Sequence, residues 1–400
     1  MSQHAGRRLT AVLAPLLAAL LVAMTPGGAS AAAAAADARP GGKLFAGGTF
    51  TEAGGTVANN IAAWDGVDWS ALTGPAGEGT DDQVSAMVLY NGKLIVGGSF
   101  IEAGGVPVSG IASWDGTTWA PLTGASGIPG VTVAPLGFVS SLAVYNGDLY
   151  VGGYFPRAGG TQTVHNLARW NGTEWSPVTG PAGFGTENNG SDIAPIWDLA
   201  VHNGALIVGG NFTSAGGVPA NSVARWDGAT WSAVGMPALN DLTVLALEQH
   251  NGMLVATRSY VGDNVSVHDV ARLTFAGQWA PLLSPSGAGL NGEARDLTVY
   301  NGQLIAGGFF TGAGGVPVNH VAAWDGTRWS ALAGPTGTGT SGDVYALTVH
   351  QGQLIVGGFF ATAGGVPVRN IARWNGATWA ALPGSGRVGV NNAVFELLST

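Results

Sequence analysis

One motif of about fifty residues occurs seven times along this chain. A regular copy contains an Asn-Gly turn, an apolar run ending in Gly-Gly, an aromatic residue, Ala-Gly-Gly, and Trp-Asp-Gly-x-x-Trp. The Gly-Gly pairs begin at residues 47, 97, 152, 209, 307 and 357, and Thr257-Arg258 stands in this place in the fifth copy. Such a period indicates one supersecondary unit per copy, and neighbouring units must stack to bury a core.

Each copy is predicted to form four short β-strands. In the last complete copy they are residues 344–349, 354–356, 371–374 and a strand that begins at Trp379. An Asn-Gly turn joins the first two strands in most copies, and a two-residue type I′ turn needs positive φ at both positions. A second short hairpin joins the third strand to the fourth. Four antiparallel strands per unit are typical of one blade of a β-propeller.

The two ends of the repeat region complement each other. The region opens near Lys43 with a second strand, and it closes at residues 393–400 with a first strand that has no successor. We therefore expect Val394–Leu397 to pair beside residues 43–50 and to complete the first blade. The prediction is an all-β, seven-bladed β-propeller of four-stranded antiparallel blades, with the ring closed by this pairing, which removes exposed sheet edges.

The N-terminus is predicted to be a secretory signal peptide over residues 1–31. Arg7 and Arg8 precede an apolar run from Leu9 to Met24, and Ala29-Ser30-Ala31 provides small residues for a peptidase. An uncleaved membrane anchor is the alternative, although this run is short for a span of about 20 residues. Residues 32–42 are predicted to be an Ala-rich linker, and residues 43–400 the propeller. We expect a secreted, extracellular protein that does not insert into membranes after cleavage.

Charge and cysteine content exclude several classes of function. The sequence has 24 acidic and 15 basic side chains, and loss of Arg7 and Arg8 with the signal peptide gives a net charge of about −11. Such a surface argues against nucleic acid and anionic membranes as partners. Cysteine is absent, so an exported chain must rely on packing rather than disulfides. Thiol catalysis and thiolate metal sites are excluded.

The repeat resembles that of kelch-type β-propellers, and more closely the Gly-rich propeller repeats of cortical cell-polarity marker proteins. The shared features are the apolar strand, the Gly-Gly pair, the aromatic residue and the Trp that opens the last strand, and they extend over residues 43–400. The period also fits kelch better than the roughly 40 to 45 residues of WD40 repeats. The resemblance implies a propeller fold with a binding face, and little about chemistry.

Residues that recur from copy to copy are interpreted as packing residues. Thirteen of the fourteen Trp lie in the predicted third and fourth strands. His202, His250 and His350 occupy a position that holds Tyr in other copies, which argues against a metal site. The Gly-Gly pairs lack the Lys-Ser or Lys-Thr of a phosphate loop, and the sequence contains no nucleophile elbow, zinc-protease or EF-hand motif.

The candidate binding residues are those that break the repeat. Alignment of the first strands places these residues at one position: Ser85, Ser140, Trp197, Leu245, Arg295, Tyr345 and Phe395. The next position holds Ala86, Ser141, Asp198, Ala246, Asp296, Ala346 and Glu396. The predicted ligand-binding residues are Trp197, Asp198, Arg295, Asp296, Tyr345, Phe395 and Glu396. Their rings offer flat apolar surface and their carboxylates accept hydrogen bonds, as a sugar or peptide site requires.

Two other roles for the three carboxylates stay open. In a structural role, Asp296 pairs with Arg295 or a neighbour, and the others accept hydrogen bonds from the backbone or from water. In a metal role, a Ca²⁺ or Mg²⁺ ion binds on the channel axis, because hard cations take carboxylate oxygens. No other cofactor is predicted.

Two irregular regions offer additional candidates. The longest loops between blades include residues 124–137 and 180–192, and binding specificity usually lies in long loops on a rigid scaffold. The fifth copy lacks the Gly-Gly, the Ala-Gly-Gly and the third-strand Trp. Sequence drift explains this loss, and the alternative is a local site made by Arg258, Tyr260 and Asp263.

These observations predict a secreted, non-enzymatic β-propeller that binds an extracellular ligand or partner, with a glycan or envelope polymer favoured over a protein. One alternative is a propeller-type glycoside hydrolase or polysaccharide lyase, which needs two carboxylates about 5 to 10 Å apart across a pocket. Another alternative is a structural cell-envelope or adhesion module.

Overall fold

The computed structural model describes residues 42–400 except 76, 134–136, 161, 182, 192–193, 237–241, 262–265 and 336. The predicted signal peptide, almost all of the predicted linker, Asp192 and Asp263 lie outside the described residues. Within the described part, the regular secondary structure is β-strand, and no helix is long and apolar enough to cross a membrane. The predicted all-β class is therefore confirmed.

The strands form four-stranded antiparallel sheets, of which the described residues contain seven, and this arrangement is consistent with a β-propeller. From inner to outer strand, the first four are sheet one, Val394–Ser399, Leu44–Gly48, Ile61–Trp64 and Trp69–Ala71; sheet two, Val84–Tyr90, Lys93–Gly98, Ile111–Trp114 and Trp119–Pro121; sheet three, Phe138–Tyr145, Asp148–Tyr154, Leu167–Trp170 and Trp175–Pro177; and sheet four, Ile196–His202, Ala205–Gly210, Val223–Trp226 and Trp231–Ala233. The others are sheet five, Leu247–His250, Met253–Val261, Ser266–Leu273 and Trp279–Pro281; sheet six, Ala294–Tyr300, Gln303–Gly308, Val321–Trp324 and Trp329–Ala331; and sheet seven, Val344–His350, Gln353–Gly358, Ile371–Trp374 and Trp379–Ala381.

Short two-residue strands form hairpins between the second and third strands of most sheets. They pair Glu52–Ala53 with Thr56–Val57, Glu102–Ala103 with Val106–Pro107, Arg157–Ala158 with Gln162–Thr163, Ser214–Ala215 with Val218–Pro219, Gly312–Ala313 with Val316–Pro317, and Thr362–Ala363 with Val366–Pro367. Thr186–Glu187 joins the fourth of these hairpins, and Thr179–Gly180 pairs with Gly183–Phe184. In sheet five, the second and third strands instead extend into one long hairpin.

Sheet one is assembled from both ends of the repeat region. Val394–Ser399 pairs antiparallel with Leu44–Gly48, and the Thr400 backbone N–H donates to the Lys43 carbonyl at 3.0 Å. The predicted pairing of the C-terminal strand beside residues 43–50 is therefore present. Val394 is fully buried and Leu397 is 6% exposed, so this strand is part of the core.

The core is divided among the boundaries between neighbouring sheets. Each inner strand contacts the inner strand of the next sheet, and the inner strand of sheet one contacts those of sheets seven and two. Among the described residues, seven buried apolar clusters lie one at each of these boundaries. Many small cores therefore replace the single core that a chain of this length does not form.

The Gly-Gly pairs permit this close stacking. A Cβ on Gly307 would lie 2.4 Å from Val344 Cγ1, on the inner strand of the next sheet. A Cβ on Gly308 would lie 2.1 Å from the Glu293 carbonyl oxygen. In sheet five, Thr257 replaces the first glycine, and its buried Oγ1 accepts hydrogen bonds from the Leu245 and Ala246 backbone N–H groups. A side chain at the first glycine position is therefore accommodated in sheet five by hydrogen bonds to the backbone of the inner strand.

The repeated Trp residues join adjacent sheets, as the sequence predicts for packing residues. Trp329 is 3% exposed, and its indole N–H donates to the Leu282 carbonyl of the preceding sheet at 2.9 Å. Trp119, Trp175 and Trp379 make the equivalent bond. The Asn-Gly turns also have the predicted geometry, with positive φ at both residues of each turn.

Candidate functional site

A cavity of about 660 Å³ opens where the inner strands begin, and all seven predicted site residues line it. They come from sheets one, four, six and seven. The first of the two aligned positions coincides with a β-bulge in each of these sheets, because the strand register shifts there. A bulge inserts one extra residue and re-aims its side chain. The repeat therefore brings one irregular residue per sheet to the same opening.

Aromatic rings form two groups in the cavity wall. Trp197 stacks on Phe138 with ring centroids 5.4 Å apart and an interplanar angle of 25°. In the second group, the ring centroid of Tyr345 lies 5.1 Å from that of Phe395 and 5.5 Å from that of Phe309. Trp197, Tyr345 and Phe395 are partly buried, whereas Phe309 is 36% exposed. These rings contact each other and line the cavity.

Phe138 and Phe309 were not among the predicted site residues. Phe138 lies two positions before the aligned bulge residue, and Phe309 directly follows a Gly-Gly pair. The position after Gly-Gly holds a different residue in most copies: Thr49, Ser99, Tyr154, Asn211, Phe309 and Phe359. Applying the same search for residues that break the repeat to this position would have found Phe309.

Arg295 does not pair with Asp296, which was one of the two arrangements that the structural alternative allowed. Its guanidinium pairs with Glu293 at the start of the same strand, and its Cζ lies 4.5 Å from the centroid of the Phe309 ring. Glu293 also accepts a hydrogen bond from the Ser259 hydroxyl at 2.9 Å. Arg295 therefore pairs two residues back along its own chain segment, whereas Asp296 accepts the Leu347 N–H of the next sheet.

The carboxylates hydrogen-bond to the inner strand of the following sheet, as the structural alternative expects. Asp198 accepts from the Leu247 backbone N–H at 2.7 Å, from the Leu199 N–H at 2.7 Å, and from the Ser141 hydroxyl at 3.1 Å. Asp296 accepts from the Leu347 N–H at 2.6 Å in the same way. These carboxylates satisfy backbone donors that the edge of an inner strand would leave unpaired.

Burial raises the pKa of these carboxyls, while the N–H donors lower it. The pKa of Asp198, which accepts three hydrogen bonds, rises to about 6 because of burial. The pKa of Asp296, which accepts two from backbone N–H groups, rises to about 8 because of burial and the nearby charge of Asp198. Burial and the charge of Asp296 hold the pKa of Glu396 well above its usual value, against one backbone donor at Met87.

Glu248 is a fourth acidic residue of this region that sequence reasoning missed. It lies one position beyond the central Leu247 of its inner strand, where other copies hold Val, Ala, Thr or Leu. Burial, and to a smaller extent the charge of Asp198, raises the pKa of Glu248 to about 7. The side chain was detectable as a residue that breaks the repeat.

The metal alternative, and the alternative of a local site in sheet five, lack support in the described part of the chain. Within the described residues, no group of three or more His, Cys, Asp or Glu side chains is arranged to hold a metal ion. Arg258 forms a bidentate ion pair with Asp269 on the facing strand, at 2.7 and 2.6 Å. That pair joins the two strands of the long hairpin. Asp263 lies outside the described residues.

Comparisons with known proteins agree with the fold. A family model described as "Domain of unknown function (DUF5122) beta-propeller" matches residues 203–226. No curated protein matches the sequence. An extracellular domain of BT4673 from B. thetaiotaomicron, a protein described as a hybrid two component system, superposes with a TM-score of 0.52 at 12% identity, over 82% of this chain and 38% of that one. The chain thus spans well under half of that structure.

A second structure is similar over most of both chains. The computationally designed Ika8 protein matches with a TM-score of 0.46 at 12% identity, over 87% of this chain and 90% of that chain. The family match and the first structure, together with the sheets, show that this chain contains a β-propeller.

Proposed function

We propose that this protein is a secreted, seven-bladed β-propeller that binds an extracellular glycan or envelope polymer, without catalysis, at the mouth of its central channel. In this proposal the seven sheets are the blades, and the C-terminal strand closes the ring. One observation carries it: residues that break the repeat in four different sheets line one cavity. A site for an asymmetric ligand must be made by residues that differ between repeats.

The chemistry of the cavity favours a carbohydrate. Partly exposed aromatic faces can stack on sugar rings, while Arg295 and the hydroxyl of Tyr345 offer hydrogen-bond donors. A protein partner would more commonly use a broad surface than a cavity of about 660 Å³, which lies within the usual range for small ligands.

The engaged carboxylates support a binding role over a catalytic one. Both oxygens of Asp198 and of Asp296 accept hydrogen bonds from backbone N–H groups. A glycosidase needs one carboxyl free to protonate the leaving group and another free to act as base or nucleophile. The raised pKa of Asp296 is the observation that favours a glycoside hydrolase or lyase as the second candidate, because a general acid must be protonated near neutral pH.

A glycan array probed with the protein comprising residues 32–400 tests the function directly. Trp197→Ala should weaken binding of each array hit by about 1 to 3 kcal/mol, as expected for loss of an aromatic anchor. Phe275→Ala is the matched control, because Phe275 is 97% exposed and does not line the cavity. Normal binding by Trp197→Ala would rule out this site, and cleavage of a bound glycan would favour the hydrolase or lyase.

Secretion and the kelch-type repeat belong to the same proposal. The apolar run and the Ala29-Ser30-Ala31 segment support export, and N-terminal sequencing of the secreted protein should find a start near Ala32. An intact Met1 on membrane-bound protein would instead support an anchor. The Gly-Gly and Trp pattern supports a kelch-type assignment and the likeness to cortical cell-polarity marker repeats.

A further inference from the structure

Aromatic residues continue beyond the cavity on the same face. Tyr154 and Phe359 occupy the position after Gly-Gly that Phe309 holds in sheet six. Tyr154 lies 6.2 Å from Phe138, ring centroid to ring centroid, and so extends the group around Trp197. Phe359 is 57% exposed, and its backbone N–H donates to the Asp343 carbonyl, two residues before Tyr345. Tyr154 therefore extends the group around Trp197, and the exposed Phe359 lies beside the segment that carries Tyr345.

The two groups lie on opposite sides of the opening. We call the whole set the aromatic row: Tyr154, Phe138, Trp197, Phe395, Tyr345, Phe309 and Phe359. One end belongs to sheets three and four, and the other to sheets six, seven and one. The inner strands contact each other in the order of sheets one to seven and back to one. Sheet two therefore lies between the two ends on one side of the opening, and sheet five lies between them on the other side. Their equivalent positions hold Ser85 and Ser99 in sheet two, and Leu245 and Ser259 in sheet five.

A second cavity lies at the Phe359 end of the row. It has a volume of about 520 Å³ and is lined by residues of sheet seven and its adjoining loops, among them Asp343, Phe359 and Arg369. Asp343 lies two residues from Tyr345 along the chain, so the two cavities flank the same segment. Arg369 already pairs with Glu52 at 3.1 Å, and Asp343 lies 3.5 Å from His320. Phe359 thus lines this second cavity and is 57% exposed to solvent.

We propose that the ligand is a linear polysaccharide chain that lies across the channel mouth along the aromatic row, with one end over Phe359. This inference rests on the proposed glycan-binding function and specifies the class of its ligand. A single sugar needs one stacking surface and would be served by Trp197 or Tyr345 alone. A row with two ends, separated by small and aliphatic residues on the other two sides, fits an extended chain whose successive units each meet a ring.

Oligosaccharides of increasing length test the row. Cello-, xylo-, malto- and chito-oligosaccharides of one to six units are titrated by calorimetry into the wild-type protein. In the series that binds, the hexamer should bind about tenfold or more tightly than the shortest ligand that binds, because additional units reach the outer rings. Phe359→Ala and Tyr154→Ala should each reduce the affinity for the hexamer several-fold and leave that for the shortest ligand unchanged. Trp197→Ala should weaken both.

Ile101→Ala is the control for Phe359→Ala. Ile101 is likewise 57% exposed and lies three residues after the Gly-Gly pair of sheet two, off the row, so its loss should change neither affinity. If the affinity does not increase with oligosaccharide length but binding still requires Trp197, the proposal of an extended chain along the row is wrong and the proposed binding site still stands. Full hexamer affinity in both Phe359→Ala and Tyr154→Ala would lead to the same conclusion. No binding in any series would count against the glycan function and the row together.

Discussion

The free energy of unfolding is expected to fall as the pH rises from about 4 to about 8. The carboxyls of Asp198 and Asp296 have pKa values of about 6 and about 8 in the folded protein, above the value of 3.8 for a free Asp. Between those values the folded state binds more protons than the unfolded state, so stability decreases with pH. This contribution is fully present below pH 4 and is lost as the pH passes through the folded pKa values.

The loss of unfolding free energy can be worked out from the pKa shift of Asp198, which is smaller than that of Asp296. For Asp198, the rise from 3.8 to about 6 is about two pKa units, and each unit corresponds to about 1.4 kcal/mol. The loss from Asp198 alone is therefore on the order of 3 kcal/mol between pH 4 and pH 8. Asp296 and Glu396 act in the same direction, because their pKa values are also raised.

Urea denaturation at several pH values measures this slope. Asp198→Asn should flatten the dependence between pH 4 and pH 8, whatever its effect on stability at one pH. Asp115→Asn is the control, because two backbone N–H groups and two Thr hydroxyls lower the pKa of the exposed Asp115. Its contribution appears above pH 4 and is lost only at lower pH, so its removal should leave the slope unchanged. Stability that increases from pH 4 to pH 8, or a slope unaffected by Asp198→Asn, would refute the reasoning.

Three further predictions concern the packing of the sheets. Deletion of residues 393–400 should lower the free energy of unfolding by about 4 kcal/mol or more, since it exposes the edge of sheet one and removes the buried side chains of Ala393, Val394 and Leu397; a melting temperature within a few degrees of full length would contradict this. Trp329→Ala should cost about 3 to 5 kcal/mol of stability while the remaining folded protein keeps its binding affinity, and a neutral result in urea would argue against its packing role. Gly307→Ala should lower the free energy of unfolding by about 1 to 3 kcal/mol, because the new Cβ would clash with Val344. Addition of Val344→Ala should recover part of that stability. Strictly additive effects in this double-mutant cycle would show that the contact is unimportant.

Local pattern and symmetry explain which features could be predicted. The strands and the type I′ turns depend on short-range signals repeated in each copy. The pairing of Val394–Ser399 with Leu44–Gly48 follows from counting strands, since the repeat region opens and closes with complementary parts of one copy. Residues that recur in every copy serve packing, whereas residues that differ between copies are candidates for binding. The bulge residues could therefore be recognised from the sequence alone. Those residues converge because every inner strand begins at the same opening.

Contacts across sheet boundaries could not be predicted in this way. That Asp198 accepts the Leu247 N–H, or that Arg295 turns to Glu293 and Phe309 rather than to Asp296, depends on strand register and on how far each sheet is rotated from the next. Sequence alignment relates equivalent positions, but it does not relate a residue to a different position in the neighbouring copy. The sequence by itself therefore determined that the seven predicted residues meet at the opening, though it did not identify Phe138 and Phe309 there. The tertiary structure decided their partners, because hydrogen-bond geometry and burial exist only once the sheets are stacked.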